Sequence, residues 1–325
     1  MSPPPITLSG VAVLTGAGFT KNFGGFDSRE MRQCIQGHSA VKNTPRIKAL
    51  LDQEENFETA YASVIDNTEF TPEEIGAFRI ALESAYKVME ERICTCHMQS
   101  TTMHLSRLGQ LVHTISKYTG SERAFWFTLN QDLFLERQKR WKAAGVPDLF
   151  TSESQRLNPA PPQSYRLPDA EKSRDLIQAE LSGAIQGHVG PAYIKLHGSM
   201  SWESYTGKPG MVLGINKMER IRAEPLLDEY YKIFEGYFQE ENRRLVVIGY
   251  SFRDQHINDV LLDAVRRGLR LIVVSTGNEA AFRENLQSND WGDLADVSEY
   301  FQSDMKNLFE HDADLLRRFN QAIVR

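Results

Sequence analysis

A doubly wound, parallel α/β sheet is the architecture this sequence predicts, and three observations predict it. Short apolar runs recur at residues 11–14, 124–129, 192–196, 245–248 and 271–274. Most break at once into Gly, Ser, Thr, Asn, Asp or His, and segments of helical period separate them. Runs of this kind fit strands buried on both faces. Polar residues just beyond them fall where open α/β sheets bind ligands, outside the carboxyl ends of the strands.

The first run ends in Thr15-Gly16-Ala17-Gly18-Phe19-Thr20. Glycines there let bare backbone approach a ligand, and the start of a following helix would offer free N–H groups to a pyrophosphate. The same glycines also suit a tight strand-to-helix turn with no ligand, and both readings stand. Lys21 occupies the position of the third glycine in the dehydrogenase fingerprint, so that motif is broken. The next loop, Asn22-Phe23-Gly24-Gly25-Phe26-Asp27, is either a flap over a ligand or an ordinary surface loop.

From residue 29 to 121 the pattern is helical, with Thr71-Pro72-Glu73-Glu74 reading as a helix start. This stretch is expected to be a helical insertion between the first two strands. It contains Cys94-Thr95-Cys96-His97 and His104. No second Cys pair at suitable spacing completes a zinc site, so helix packing is the expectation.

The second run leads into Thr128-Leu129-Asn130-Gln131-Asp132. Residues 147–168, rich in Pro, Ser and Asn, then form a long connection, either a lid or a surface excursion. The third run reaches Leu196-His197-Gly198-Ser199, and Met211-Val212-Leu213-Gly214 reads as a further short strand. Residues 226–242 read as an amphipathic helix. The fourth run is followed by Gly249-Tyr250-Ser251-Phe252-Arg253-Asp254, with Asp254 an expected helix cap and His256 on the helix surface. The fifth run ends toward Asn278, and residues 279–325 read as helical and acidic.

The chain has 325 residues, a net charge of -6 and three cysteines. That charge argues against general nucleic-acid binding, and Arg266-Arg267-Gly268-Leu269-Arg270 reads as a solvated helix end. No apolar run approaches membrane-spanning length, and Met1-Ser2-Pro3-Pro4-Pro5 does not open a secretory signal. Three cysteines make no disulfide framework, so a reducing cytoplasm is expected.

Four elements in order, Thr15-Gly16-Ala17-Gly18, Thr128-Leu129-Asn130-Gln131-Asp132, Leu196-His197-Gly198-Ser199 and Gly249-Tyr250-Ser251, resemble the sirtuin superfamily. There a GAG turn, a T-x-N-x-D strand end, an HG pair and a G-x-S element follow one another. The chain lacks the paired CxxC motifs of zinc-bearing sirtuins, and Gly25-Phe26-Asp27-Ser28-Arg29 only loosely echoes their G-I-P-D-F-R segment. Leu129 and Gln131 replace the usual Gln and Ile. Together with Trp202, the pattern looks like the zinc-less sirtuin-like proteins of bacterial antiphage defence, whose assigned activity is hydrolysis of NAD to nicotinamide and ADP-ribose.

That resemblance implies a Rossmann-like core at residues 1–28 and 122–280, without a zinc module. The helical insertion would span 29–121, the proline-rich loop and helix excursion 147–190, and C-terminal helices 281–325. It implies NAD as substrate, no metal, Asn130 and His197 as catalytic residues, and Asp132 on the nicotinamide carboxamide. Gly16, Ala17, Gly18 and Thr20 would cradle the pyrophosphate, with Gly249, Ser251 and Asn278 toward phosphate or adenosine ribose. A histidine titrating near neutrality is a natural base for water or a ribose hydroxyl. A gated effector would be a homo-oligomer, with or without a separately encoded ATPase or sensor. Two other readings share the NAD site: a protein deacylase, and a non-catalytic NAD or ADP-ribose sensor.

Overall fold

The computed structural model describes residues 10–65, 67–99, 103–118, 124–139, 141–182 and 191–324. The first strand, β1 (Val11–Thr15), turns into α1 (Ala17–Lys21). Helices α2 (Ser28–Gly37), α3 (Ser39–Lys42), α4 (Pro45–Gln53), α5 (Phe57–Ile65), α6 (Pro72–Gln99) and α7 (Met103–Tyr118) follow before β2 (Phe125–Thr128). Next come α8 (Glu153–Arg156), β3 (Tyr165–Arg166), α9 (Ala170–Leu181), β4 (Ala192–Lys195), β5 (Gly198–Glu203) and β6 (Pro209–Met211). The chain continues through α10 (Lys217–Ala223), α11 (Pro225–Phe238), β7 (Arg244–Ile248), α12 (Gln255–Val265) and β8 (Arg270–Ser275). It ends with α13 (Glu279–Ser288), α14 (Gly292–Asp296), β9 (Ser298–Gln302) and α15 (Ala313–Val324).

Among the described residues the main sheet has the order β4-β2-β1-β7-β8-β9, and every pairing in it is parallel. Numbered by their sequence within that sheet, the strands run 3-2-1-4-5-6, the doubly wound Rossmann order. The chain begins in the middle, winds to one edge, returns and winds to the other. Its switch point lies between β1 and β7, so a crevice is expected beyond Thr15 and Ile248.

Both faces are covered. Adjacent residues of a strand point to opposite sides. Trp126 packs edge-on against Phe19 and Trp141, while Phe127 packs against Phe234 and Tyr237 of α11. Every residue of β1 and β7 is buried, which is why these strands read as apolar runs and not as alternating ones.

At the start of α6, the Glu74 N–H donates to Thr71 Oγ1 and the Thr71 N–H to Glu74 Oε2, a capping box where the sequence marked a helix start. The loop at 22–27 is no open flap. Phe23 is buried and stacks on Phe134 at 4.3 Å, and Phe26 is buried too.

Two local expectations change. Residues 279–325 are not helical throughout, because β9 adds an edge strand beside β8. Its Ser-Glu-Tyr-Phe-Gln sequence carries too few apolar residues to reveal itself without the neighbouring strand. The short strand near 211 covers Pro209–Met211, and it pairs antiparallel with β5 outside the main sheet. Among the described residues no helix is long and apolar enough to cross a membrane.

The proline-rich connection is clamped. Arg137 Nη1 donates to the carbonyls of Arg156 (3.0 Å) and Asn158 (2.7 Å). Arg156 in turn donates to the carbonyls of Glu136 (2.6 Å) and Phe150 (2.8 Å). A cavity of about 520 Å³ runs along Asp148, Phe150, Pro161 and Tyr165 within this excursion.

Candidate functional site at the strand ends

Parallel register aligns the site. Thr15 is level with Thr128 on one side and Ile248 on the other, and Thr128 is level with Lys195. The residues one step further, Gly16, Leu129, Leu196 and Gly249, therefore form a row along the carboxyl edge. The ladder reaches into that row: Leu129 N–H donates to Thr15 O, Leu196 N–H to Thr128 O and Gly16 N–H to Ile248 O. Asn130 and His197 follow directly.

Asn130 holds the glycine turn. Its Nδ2 donates to the Gly16 carbonyl at 2.9 Å and to Thr20 Oγ1 at 3.1 Å, and its own N–H donates to Thr128 Oγ1. Asp132 is buried nearby and accepts from the Phe134 N–H at 3.0 Å. Burial raises its pKa, while Lys195 and the Thr20 hydroxyl act in the opposite direction. Lys195 is itself fully buried, donating to the Asp132 carbonyl at 2.5 Å and to Glu136 Oε1 at 2.7 Å. Thr20, Asn130 and Asp132 thus belong to one hydrogen-bonded cluster beyond β1 and β2.

The glycines answer to the protein as well as to any ligand. The Gly18 N–H donates to the Gly249 carbonyl at 2.9 Å, and a Cβ on Gly18 would lie 2.7 Å from Gly249 Cα. The turns after β1 and β7 are packed backbone to backbone. Ala17 is the exposed residue of this turn, and Gly18 is half-buried.

His197 stands between β4 and β5, only 2% exposed. Its carbonyl accepts from the Val212 N–H at 2.9 Å. Gly198 follows with φ of +72°, and a Cβ there would fall 2.0 Å from the Gly210 carbonyl oxygen. The glycine of the HG pair is therefore required by the tight pairing of β5 with β6.

The structure corrects the expectation for His256. It is not a helix-surface residue: its Nε2 lies 3.0 Å from Nε2 of His197, and its carbonyl accepts from the Tyr231 hydroxyl at 2.8 Å. Asp254 is also reassigned. It precedes α12 but makes no side-chain cap, and its carboxylate pairs with Lys217 Nζ at 2.6 Å. Lys217 also pairs with Glu58 of α5 at 2.7 Å, which ties the helical segment to this corner.

Electrostatics set both rings neutral. Burial pushes the His197 pKa well below its ordinary value; the Lys217 ammonium adds to this, and Asp254 opposes it. His256 is pushed down to about 4, mainly by burial, with Asp254 opposing and Lys217 assisting. Burial works to raise the Asp254 pKa, and the Lys217 ammonium paired with its carboxylate holds it below its ordinary value.

Among the described residues His197, Asp254 and His256 also bring one metal-ligating atom each within 4.8 Å of one another. The arrangement suits a cation poorly. The two imidazole nitrogens are hydrogen-bonded to each other, and Lys217 already supplies a positive charge at the carboxylate. Of the other residues weighed for metal, Cys94 is buried against the Leu157 carbonyl, and the side chains of His97 and His104 lie outside the described residues.

The remaining candidates divide. Ser251 is exposed in the turn after β7. Asn278 caps α13, accepting from the Ala281 N–H at 3.1 Å, a structural duty sufficient to explain it. Lys217 and Tyr250 escaped the sequence reading. Tyr250 donates to Asn258 Oδ1 at 3.0 Å and accepts from the Asp254 N–H at 3.1 Å. Asn258 also holds the carbonyl of Phe252, whose φ is +54°. A non-glycine residue kept in that conformation marks a turn that its surroundings over-determine. The usable signal was the density of polar side chains between Tyr250 and Asn258, directly after the strand at the switch point.

No protein-family model and no curated protein matches the chain. Among solved structures, a mutant Sir2 homologue in complex with ADP-ribose is similar at 13% identity and a TM-score of 0.42, over 97% of this chain and 93% of that one.

Proposed function

We propose that this protein hydrolyses NAD to nicotinamide and ADP-ribose. The observation that carries the reading is the convergence of Asn130 and His197 at the carboxyl ends of adjacent strands, beside the glycine turn at the switch point. The four ordered sequence motifs support the same reading.

Cleaving the nicotinamide–ribose bond needs little covalent help. Nicotinamide is a good leaving group, and the transition state is an oxocarbenium-like sugar. The protein must hold the ribose, place a water and accept its proton. In this reading the turn at Gly16, Ala17, Gly18 and Thr20 meets the pyrophosphate, with Gly249 and Ser251 opposite and Asn278 toward the adenosine ribose. Asp132 accepts from the nicotinamide carboxamide. Asn130 uses its Nδ2 on the turn, so its part in orienting ribose or water falls to Oδ1. His197, neutral at pH 7, belongs to the proton-accepting machinery.

Free hydrolysis of NAD is toxic to a cell, so the activity must be gated. We place the protein as a gated effector of antiphage defence in the cytoplasm, acting as a homo-oligomer with or without a separately encoded ATPase or sensor.

The test is loss of NAD and release of nicotinamide by purified protein, wild type beside His197→Ala and Asn130→Ala. Turnover that both substitutions abolish supports the reading. Turnover that survives both sinks the assignment of this site. Deacylation of an acyl-lysine peptide, with O-acyl-ADP-ribose as co-product, would replace hydrolysis by the deacylase reading. Tight NAD binding without any product would favour a sensor.

A further inference from the structure

We propose that the base is the His197–His256 pair and not one histidine, with His256 the imidazole that meets the attacking water and His197 the proton store behind it. This rests on the hydrolase reading above.

Two neutral imidazoles whose Nε2 atoms are 3.0 Å apart share one proton, so one nitrogen donates and the other accepts. The Leu129 backbone favours the protonated form of His197, as a carbonyl facing the one ring nitrogen not engaged by His256 does. A carbonyl only accepts, so the His197 nitrogen facing it, Nδ1, carries that ring's proton. His197 Nε2 is then bare and is filled by the Nε2–H of His256. His197 has no nitrogen left for substrate. His256 has one: its Nδ1 makes no hydrogen bond among the described residues, and His256 is the more exposed of the two. The lone pair that the couple presents outward is therefore on His256.

The surroundings suit a couple that charges only in passing. Asp254 favours the protonated form of both rings, while burial and Lys217 oppose it, so the pair is neutral at rest. Beyond these, Tyr231 of α11 faces His256 through its ring and hydroxyl, and Glu58 of α5 reaches the group through Lys217.

Water oxygen bonds C1′ of the nicotinamide ribose as the C–N bond breaks, and that electron pair leaves with neutral nicotinamide. The water proton passes to His256 Nδ1, and the His256 Nε2 proton passes to His197 Nε2. The positive charge lost from the nicotinamide ring is matched by one on the histidine couple beside Asp254. The reverse transfers then release the proton to solvent.

Two measurements test it. First, kcat and KM for NAD are determined for wild type, His256→Ala and His256→Gln, with melting curves to verify folding. Glutamine keeps a donor for His197 and cannot relay a proton. Both variants are expected to lose roughly 10²–10⁴-fold in kcat, with KM changed by no more than about threefold. A folded His256→Gln enzyme within about threefold of wild-type kcat overturns the proposal. Second, ¹⁵N-histidine NMR of the wild type assigns the tautomers, whether or not the protein turns NAD over. His197 protonated at Nδ1, His256 protonated at Nε2 and N–N coupling across their hydrogen bond are expected. The opposite tautomers, or no coupling, overturn the pair. A wild type silent toward NAD in every state of assembly tested, with the expected tautomers in the second measurement, would sink hydrolysis and leave the hydrogen-bonded pair standing.

Discussion

Gly18 and Gly249 meet where neither can carry a side chain. A Cβ on Gly249 would lie 2.2 Å from the Phe19 nitrogen, and one on Gly18 would lie 2.7 Å from Gly249 Cα. The turns beyond β1 and β7 are joined at this contact, at the switch point of the sheet.

Gly249→Ala is expected to destabilise the fold by about 2–4 kcal/mol. The positive φ of +64° and the backbone overlap act together. Gly76→Ala, on α6 with nothing within 4 Å of its Cβ position, is the control and should be neutral or stabilising by about 0.5–1 kcal/mol. Urea unfolding of the two variants checks the contrast.

Asn130→Ala should lose more than activity. Its amide satisfies the buried Gly16 carbonyl and Thr20 hydroxyl, so truncation is expected to cost about 1–3 kcal/mol in stability. His197→Ala makes no such demand on the turn. An Asn130→Ala protein that melts at the wild-type temperature would contradict the scaffold role given to this amide.

Glu90 and Arg137 form a fully buried ion pair at 2.9 Å, and Glu90 also accepts from the Leu133 N–H. Together they brace the residues after Asp132. Removing either partner strands a charge, so Glu90→Ala or Arg137→Ala is expected to cost about 3–5 kcal/mol. A double-mutant cycle with Glu90→Leu and Arg137→Met should show strong coupling, the double variant being less damaged than the sum of the singles. Additive losses would show that the pair does not act as a unit.

Acid should weaken the fold through the histidines. Both rings have folded-state pKa values below their unfolded values, so between about 6.5 and 4 the unfolded chain binds more protons than the native one. Stability contributed by the neutral rings is complete above the unfolded pKa and lost as pH falls through that window. Melting temperature against pH should be less steep there for His256→Gln than for wild type. Lys217→Met removes a cation that disfavours protonation of both rings, so NMR titration should find the pKa of His256 raised. A fall would reverse the sign assigned to Lys217.

Much of the fold was legible because it is encoded locally. A parallel strand buried on both faces is apolar along most of its length, so β1, β2, β4, β7 and β8 could be read from short windows. β9 could not, since its place depends on the open edge of β8. The candidates Gly16, Asn130, Asp132 and His197 were legible for a related reason. They follow those strands directly, and parallel register carries such residues to one edge.

Tertiary structure decided the partnerships. His197 and His256 are 59 residues apart, and Asp254 reaches Lys217 across 37. No period within either segment encodes those contacts, which depend on the sheet order and on how α10 and α12 settle over it. The sequence by itself determined which side chains stand at the ends of the strands. Folding determined which of them share a proton, because hydrogen bonding and desolvation depend on distances that only the packed chain sets.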